Sequence, residues 1–392
     1  MTGDGSLTLM AVGDVHIKRP DPLTIFGGTA EVLARADVLL GNQEGPISDR
    51  GEPMLAKPSV GSLCLRGPID SIAAEAQIGF SGMTLANNHM MDYGPEALLQ
   101  TRDLLNEHGI ATAGAGADAK EAHEPAIIER NGVRIAMLGY TSVFPVYGFA
   151  AGDDSPGVAT IRVSTSYQAP PSVPYQPGTP AVTVTVPNND DMRQLADDIG
   201  RAADAADLVV VQFHWGVAGY AHAVGYMKEM ARFAVDAGAD LILGNHAHVL
   251  QGLEIYRDVL ICYSLNHFAF ETNPGRSVAA SWPTGDESLI LESEVRDKAF
   301  VRHSLGLAVL DEETNNLEMA DADRRASITA TLEDLSEEYG TIFRIEGDRV
   351  VVEGPAPGTP PAPRGADVLA DPARFVVEGM RLASVIRSST GQ

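Results

Sequence analysis

Two histidines stand two positions apart in "LGNHAHVLQG" (residues 243–252), after a short apolar run and a glycine. In an extended strand alternate side chains share a face, so His246 and His248 could grip one ion. Two ordinary loop histidines would read the same way. Other short apolar runs end in similar groups: Asp14 and His16 in "GDVH", Glu44 in "GNQEG", Asn88 and His89 in "NNHMMDYG", His214 in "FHWG". Singly, each has an ordinary explanation. Asp14 could cap a helix, Glu44 could be solvated, Asn88 could hold a turn, and His214 could be a satisfied buried histidine. As a set at successive strand ends they would converge on one edge of a sheet. Carboxylate, imidazole and amide oxygen together suit hard to borderline divalent ions such as Mn, Fe, Zn, Mg or Ca. The absence of cysteine from the set argues against a structural zinc site. Two such ions about 4 Å apart can activate water and polarise an oxygen-bearing substrate.

Positioning these groups requires a sheet. Seven apolar runs recur: "LTLMAVGD", "ADVLLGNQEG", "IGFSGMTLANNH", "VRIAMLGYTS", "ADLVVVQFHWG", "ADLILGNHAH" and "VLICYSLNHF". Runs this continuous suit strands covered on both faces. Helical patterns such as "PEALLQTRDLLNEHG" and "VGYMKEMARFAVDAGAD" lie between some of them and close near glycines. The alternation predicts a layered α/β fold, with its site where the strands end. The proline-rich stretch 164–191 cannot be a core helix and is expected to be a surface excursion, a candidate substrate-facing flap. A second break, residues 353–367, precedes a final helical pattern. The expected organisation is one large domain over residues 1–310 and a C-terminal appendage over 311–392.

At 392 residues the chain can bury a full core. Its 53 acidic against 28 basic residues give a formal charge of -25, which repels nucleic acid and anionic membranes. Neither nucleic acid nor membrane is an expected partner; the substrate is expected to be a peptide or a small molecule. Two cysteines, Cys64 and Cys262, cannot build a disulfide framework. The opening "MTGDGSLTLMAVGD" reads as a first strand rather than a signal peptide, and no run approaches the roughly 20 apolar residues of a membrane span. These features predict a cytoplasmic protein.

In order and spacing, "NQEGPISDRG", "LANNHMMDYG", "FHWG", "AVDAGADLILGNHAHVLQGLEIY" and "YSLNHF" resemble the CapA-type family, the poly-gamma-glutamate capsule biosynthesis proteins. That family falls within the calcineurin-like metallophosphatases. The resemblance runs from about residue 7 to 270. It implies a four-layer α/β/β/α sandwich with a dinuclear site. Matching the motifs gives Asp14, His16 and His248 to one ion and Asn88, His214 and His246 to the other, with Glu44 as the bridge. It also implies that His89 is the acid/base residue beside the metals.

Three departures from the family shape the functional expectation. Capsule proteins usually carry an N-terminal membrane anchor, which is not read here. In "HWGVAGY", Ala218 and Gly219 stand near the family's usual Glu-Tyr pair. The usual "SLGNF" is "SLNHF", which adds His267 close to the expected metal edge. His267 reads either as a buried histidine hydrogen-bonded to a loop or as a second acid/base group. Without an anchor, capsule export recedes. The family also includes lasso-peptide epimerases, and Cα epimerisation needs a Lewis acid plus one proton-transfer group on each face. The expected function is that acid/base chemistry on a peptide, using His89 and His267. Phosphoester hydrolysis, poly-gamma-glutamate biosynthesis and metal-stabilised binding without turnover are the alternatives.

Overall fold

The computed structural model describes residues 6–54, 64–271, 285–311 and 313–355. The helical pattern read near the C-terminus lies outside them. All seven apolar runs form strands, in two sheets. The first sheet takes β1 (Leu7–His16), β2 (Val38–Gln43), β3 (Phe80–Thr84) and β4 (Ala111–Ala113) in parallel. A two-stranded pairing of β5 (Ala115–Gly116) with β8 (Gly157–Val158) lies apart. The second sheet contains β6 (Ala126–Arg130), β7 (Val133–Thr141), β11 (Leu208–His214), β12 (Leu241–Asn245), β13 (Leu253–Tyr256) and β14 (Val259–Cys262). β15 (His267–Phe270) returns to the first sheet and pairs in parallel with β1, placing His267 opposite Asp14. β16 (Glu287–Arg296), β17 (Ala299–Leu310), β18 (Leu317–Met319), β19 (Ile342–Glu346) and β20 (Arg349–Glu353) extend that sheet antiparallel.

Strand periodicity explains the layering. Leu9, Ala11 and Leu40 from the first sheet meet Ile135, Met137, Val210 and Leu243 from the second in one shared core. The alternate residues of the same strands point outward. Met10, Val12 and Leu39 pack under α2 (Ser71–Ile78) and α3 (Gly94–Glu107), following the short α1 (Ala30–Leu33). Leu138, Val209 and Val211 pack under α5 (Asn189–Ala205) and α6 (Gly225–Asp236), after the single turn of α4 (Ala119–Ala122). The result is the α/β/β/α sandwich that the resemblance implied. No helix among the described residues is long and apolar enough to cross a membrane.

Two segments carry more regular structure than their sequences show. The stretch 164–191 is largely a hairpin, β9 (Val163–Gln168) against β10 (Val182–Pro187), with the prolines confined to its ends and loop. Asn188 then caps α5 by accepting from the amides of Asp190 and Asp191. Residues 317–353, expected within the appendage, complete the first sheet: β20 pairs with β17, and Ile328 and Leu332 of α7 (Ala322–Ser336) enter the shared core with Phe343 and Val350. Short β-strands with exposed alternate residues give little signal on their own.

One buried ion pair ties α6 to the second sheet. Arg232 donates to Glu254 at 2.9 Å, and the Tyr263 hydroxyl donates to the same carboxylate at 2.6 Å. Removing one partner strands a buried charge. Arg232→Met is therefore expected to cost about 3–5 kcal/mol, read as a lower urea midpoint. An unchanged midpoint would show that the pair contributes no stability.

Candidate metal centre

The parallel strands deliver their C-terminal residues to one edge. Asp14 and His16 close β1, Glu44 follows β2, Asn88 and His89 follow β3, and His214 ends β11. His246 and His248 sit in the loop after β12 rather than in a strand, and both adopt positive φ, 87° and 55°. That conformation is uncommon outside glycine and costs energy unless the surroundings impose it. Here the loop is held on both sides: Gly219 donates to the Ala247 carbonyl at 2.7 Å, and the His246 amide donates to Asp14 Oδ2 at 3.3 Å. Alternation along a strand therefore does not explain why the two rings share a site. The strained loop does.

All nine residues singled out in the sequence gather here. Glu44 Oε1 is the hub. It lies 3.8 Å from His214 Nε2, 3.9 Å from His248 Nε2 and 3.9 Å from His89 Nε2. On one side Asp14 Oδ2 lies 3.8 Å from His248 Nδ1. On the other, His214 Nε2 is 2.7 Å from Asn88 Oδ1 and 3.1 Å from His246 Nδ1. Glu44, His246 and His248 each present a ligand atom within 4.8 Å of the other two, an arrangement that can hold a metal ion. His16 stands two residues after Asp14 at the end of β1. It is fully buried, and neither ring nitrogen meets hydrogen-bond geometry. A buried imidazole in that state is costly unless it serves as a ligand. The donor set fits a divalent cation of the hard to borderline class.

Burial sets the protonation. It lowers His16 to about 3 and His267 to about 3, and it pulls His248 well below its ordinary value, with His267 and His246 adding to the effect. Neutral rings keep their lone pairs. Burial pushes Asp14 up to about 7, opposed by hydrogen bonds from Asn42 and the His246 backbone. A raised carboxyl holds its proton across weakly acidic pH, and a cation must displace that proton to bind. Metal affinity is thus expected to rise with pH through about 7 and to level off above it, with proton release below 7. Calorimetry in two buffers of different ionisation enthalpy measures this; affinity flat from pH 5.5 to 8 would contradict it.

His89 and His267 differ in access. The His89 Nδ1 lies 2.6 Å from Asp92 Oδ2, which orients the ring with Nε2 toward Glu44. His267 is enclosed, stacked on His248 at 4.3 Å between centroids and on Phe270 at 4.5 Å. It begins β15 rather than ending a strand, after Asn266 turns the chain at φ 67°. Three residues that the sequence reading did not single out organise the site. Asn42 donates to Asp14 Oδ1 at 2.7 Å. Asn87 donates to the Gln43 carbonyl at 2.7 Å and accepts from the His89 amide, fixing the loop. Asp92 accepts from the Leu65 amide at 2.7 Å as well as holding His89. Their signal was proximity to ligand residues within the quoted motifs.

Residues 8–272, a span that contains all nine site residues, match the family described as bacterial capsule synthesis protein PGA_cap. The chain belongs to this family. Among its relatives, the capsule biosynthesis protein CapA of Bacillus anthracis is 29% identical over 317 residues, covering 78% of this chain and 66% of that one. The PGA biosynthesis protein CapA of Bacillus subtilis is 29% identical over 277 residues, covering 68% and 64%. A probable polyglutamine synthesis accessory protein of Mycobacterium tuberculosis is 32% identical over 236 residues, covering 58% and 54%. The chain spans about two thirds of the length of the two CapA relatives.

Proposed function

We propose that this PGA_cap protein is a metal-dependent enzyme that performs acid/base chemistry on a peptidic substrate, with Cα epimerisation in ribosomal (lasso) peptide maturation as its specific form. The observation that carries this reading is the His89–Asp92 pair held beside the Glu44 hub. Asp14, His16 and His248 would hold one divalent ion, Asn88, His214 and His246 a second, and Glu44 would join them. When bound, such ions supply Lewis acidity toward a substrate carbonyl. Asp92 fixes the His89 tautomer, so Nε2 is the atom that takes and returns a proton. The relatives' names speak of PGA biosynthesis and polyglutamine synthesis, and support a substrate built of amide-linked residues.

Inversion requires proton delivery from the opposite face, the role assigned in the sequence to His267. Its ring lies enclosed beneath His248, so its contribution is either to that transfer or to positioning His248. In heavy water, the manganese-supplemented protein is expected to place deuterium at one Cα of a substrate found in a panel of ribosomal precursor peptides and oligo-γ-glutamates. Chiral analysis of that residue should show changed configuration. His267→Ala should lose inversion with metal retained if the ring transfers a proton, and inversion unchanged removes it from that role. Turnover of phenyl phosphate or a phosphodiester without exchange in any peptide would replace this reading with phosphoester hydrolysis.

A further inference from the structure

We propose that the cavity between α4 and α5 is a second binding site, and that it takes a small zwitterion carrying an ammonium and a carboxylate, as a free α-amino acid does. The cavity has a volume of about 450 Å³ and is lined by Ala119, Lys120, His123, Glu124, Gln194 and Arg201. That volume falls in the range of small-molecule sites. None of the six residues belongs to the metal centre. Both helices pack on the outer face of the second sheet, α4 through Ala122 and α5 through Leu195 and Ile199. Asp198 of α5 is buried directly behind the lining. It accepts from His123 Nδ1, the Tyr140 hydroxyl and Gln194 Nε2, each at 2.7 Å, and from Arg201 at 2.5 Å.

Burial alone would raise Asp198, but the hydrogen bonds from His123, Tyr140 and Gln194 outweigh it and hold the carboxyl below its ordinary range. A charged carboxylate is an acceptor only, so it places the His123 hydrogen on Nδ1. The ring also meets Tyr140 edge-on, 5.6 Å between centroids, and is held in orientation by both contacts. Nε2, on the other edge of a ring that lines the cavity, keeps its lone pair for a ligand. Arg201 is committed to Asp198 and balances its charge. The remaining charged groups of the lining are Lys120 and Glu124, both exposed and neither in an ion pair among the described residues. The lining thus offers one cation on one hand, and a carboxylate with an imidazole acceptor on the other. A simple anion would meet Glu124, and a simple cation would meet Lys120. A zwitterion satisfies both: its carboxylate takes Lys120, and its ammonium takes Glu124 and His123 Nε2.

The test is ligand-observed nuclear magnetic resonance of the full chain with each of the twenty common amino acids at millimolar concentration. The tightest binder is then titrated beside its N-acetyl and carboxamide forms. Each blocked form is expected to bind roughly tenfold more weakly, the scale of one charge-assisted hydrogen bond. Lys120→Gln should abolish discrimination against the carboxamide. Glu124→Gln and His123→Gln should each reduce discrimination against the N-acetyl form. Lys120 and Glu124 are exposed, so their variants test the site without disturbing the fold, and circular dichroism checks His123→Gln. Failure of every amino acid to bind overturns the site. Binding that responds to none of the three substitutions places the amino acid elsewhere and overturns it as well. Acetate or methylammonium bound as tightly as the amino acid overturns the zwitterion assignment.

Discussion

Exchanging Glu44 for glutamine, or His248 for alanine, is expected to weaken divalent-metal binding by about 100-fold or more. Even residues that only support ligands commonly cost 10–100-fold. Glu44 Oε1 stands within 3.9 Å of imidazole nitrogens on three separate loops or strands, so its charge is common to both halves of the centre. Losing that charge affects every ligand at once. His248 acts between Asp14 and Glu44, and its removal also takes the stacking partner from His267. Elemental analysis after dialysis at a fixed free-metal concentration reads the effect. Wild-type metal content in both variants would place the metal somewhere else.

Asp92→Asn should leave metal content near normal and reduce kcat by about 10²–10⁴, the range seen when a histidine loses the carboxylate that sets its tautomer. Asp92 Oδ2 lies 2.6 Å from His89 Nδ1 and 2.7 Å from the Leu65 nitrogen. Both partners meet the same oxygen, so the amide replacement can turn its own oxygen to both, but it carries no charge to hold a protonated imidazole. The variant keeps the buried volume, so the loss should appear in kcat rather than in the unfolding midpoint. A wild-type kcat would remove the His89–Asp92 pair from proton transfer.

The strands were legible because each buried run is short, apolar and ended by a polar cluster. α3 and α6 were legible from their spacing and their closing glycines. The gathering of Asp14, Glu44, His89 and His214 was legible for a topological reason: parallel neighbours in a sheet put equivalent ends on one edge. The local conformation of His246 and His248 was not, because positive φ at a non-glycine residue is imposed by tertiary contacts. His267 was read at a strand end beside the ligand residues; it stacks on His248 but begins its strand, because the turn at Asn266 depends on β15 finding β1. Asn42, Asn87 and Asp92 were hidden because asparagine and aspartate near turns ordinarily serve the backbone. Residues 317–353 looked detached since β18, β19 and β20 gain their stability from pairing with a sheet built far earlier in the chain.

The central claim is that one carboxylate, Glu44, joins two divalent ions held by the flanking residues. Electron paramagnetic resonance of the protein titrated with manganese tests it most directly. The account predicts saturation at two ions per chain, with an exchange-coupled spectrum that gives way to an uncoupled six-line signal in Glu44→Gln. Saturation at a single uncoupled ion in the wild type, with the same spectrum in the variant, would contradict it.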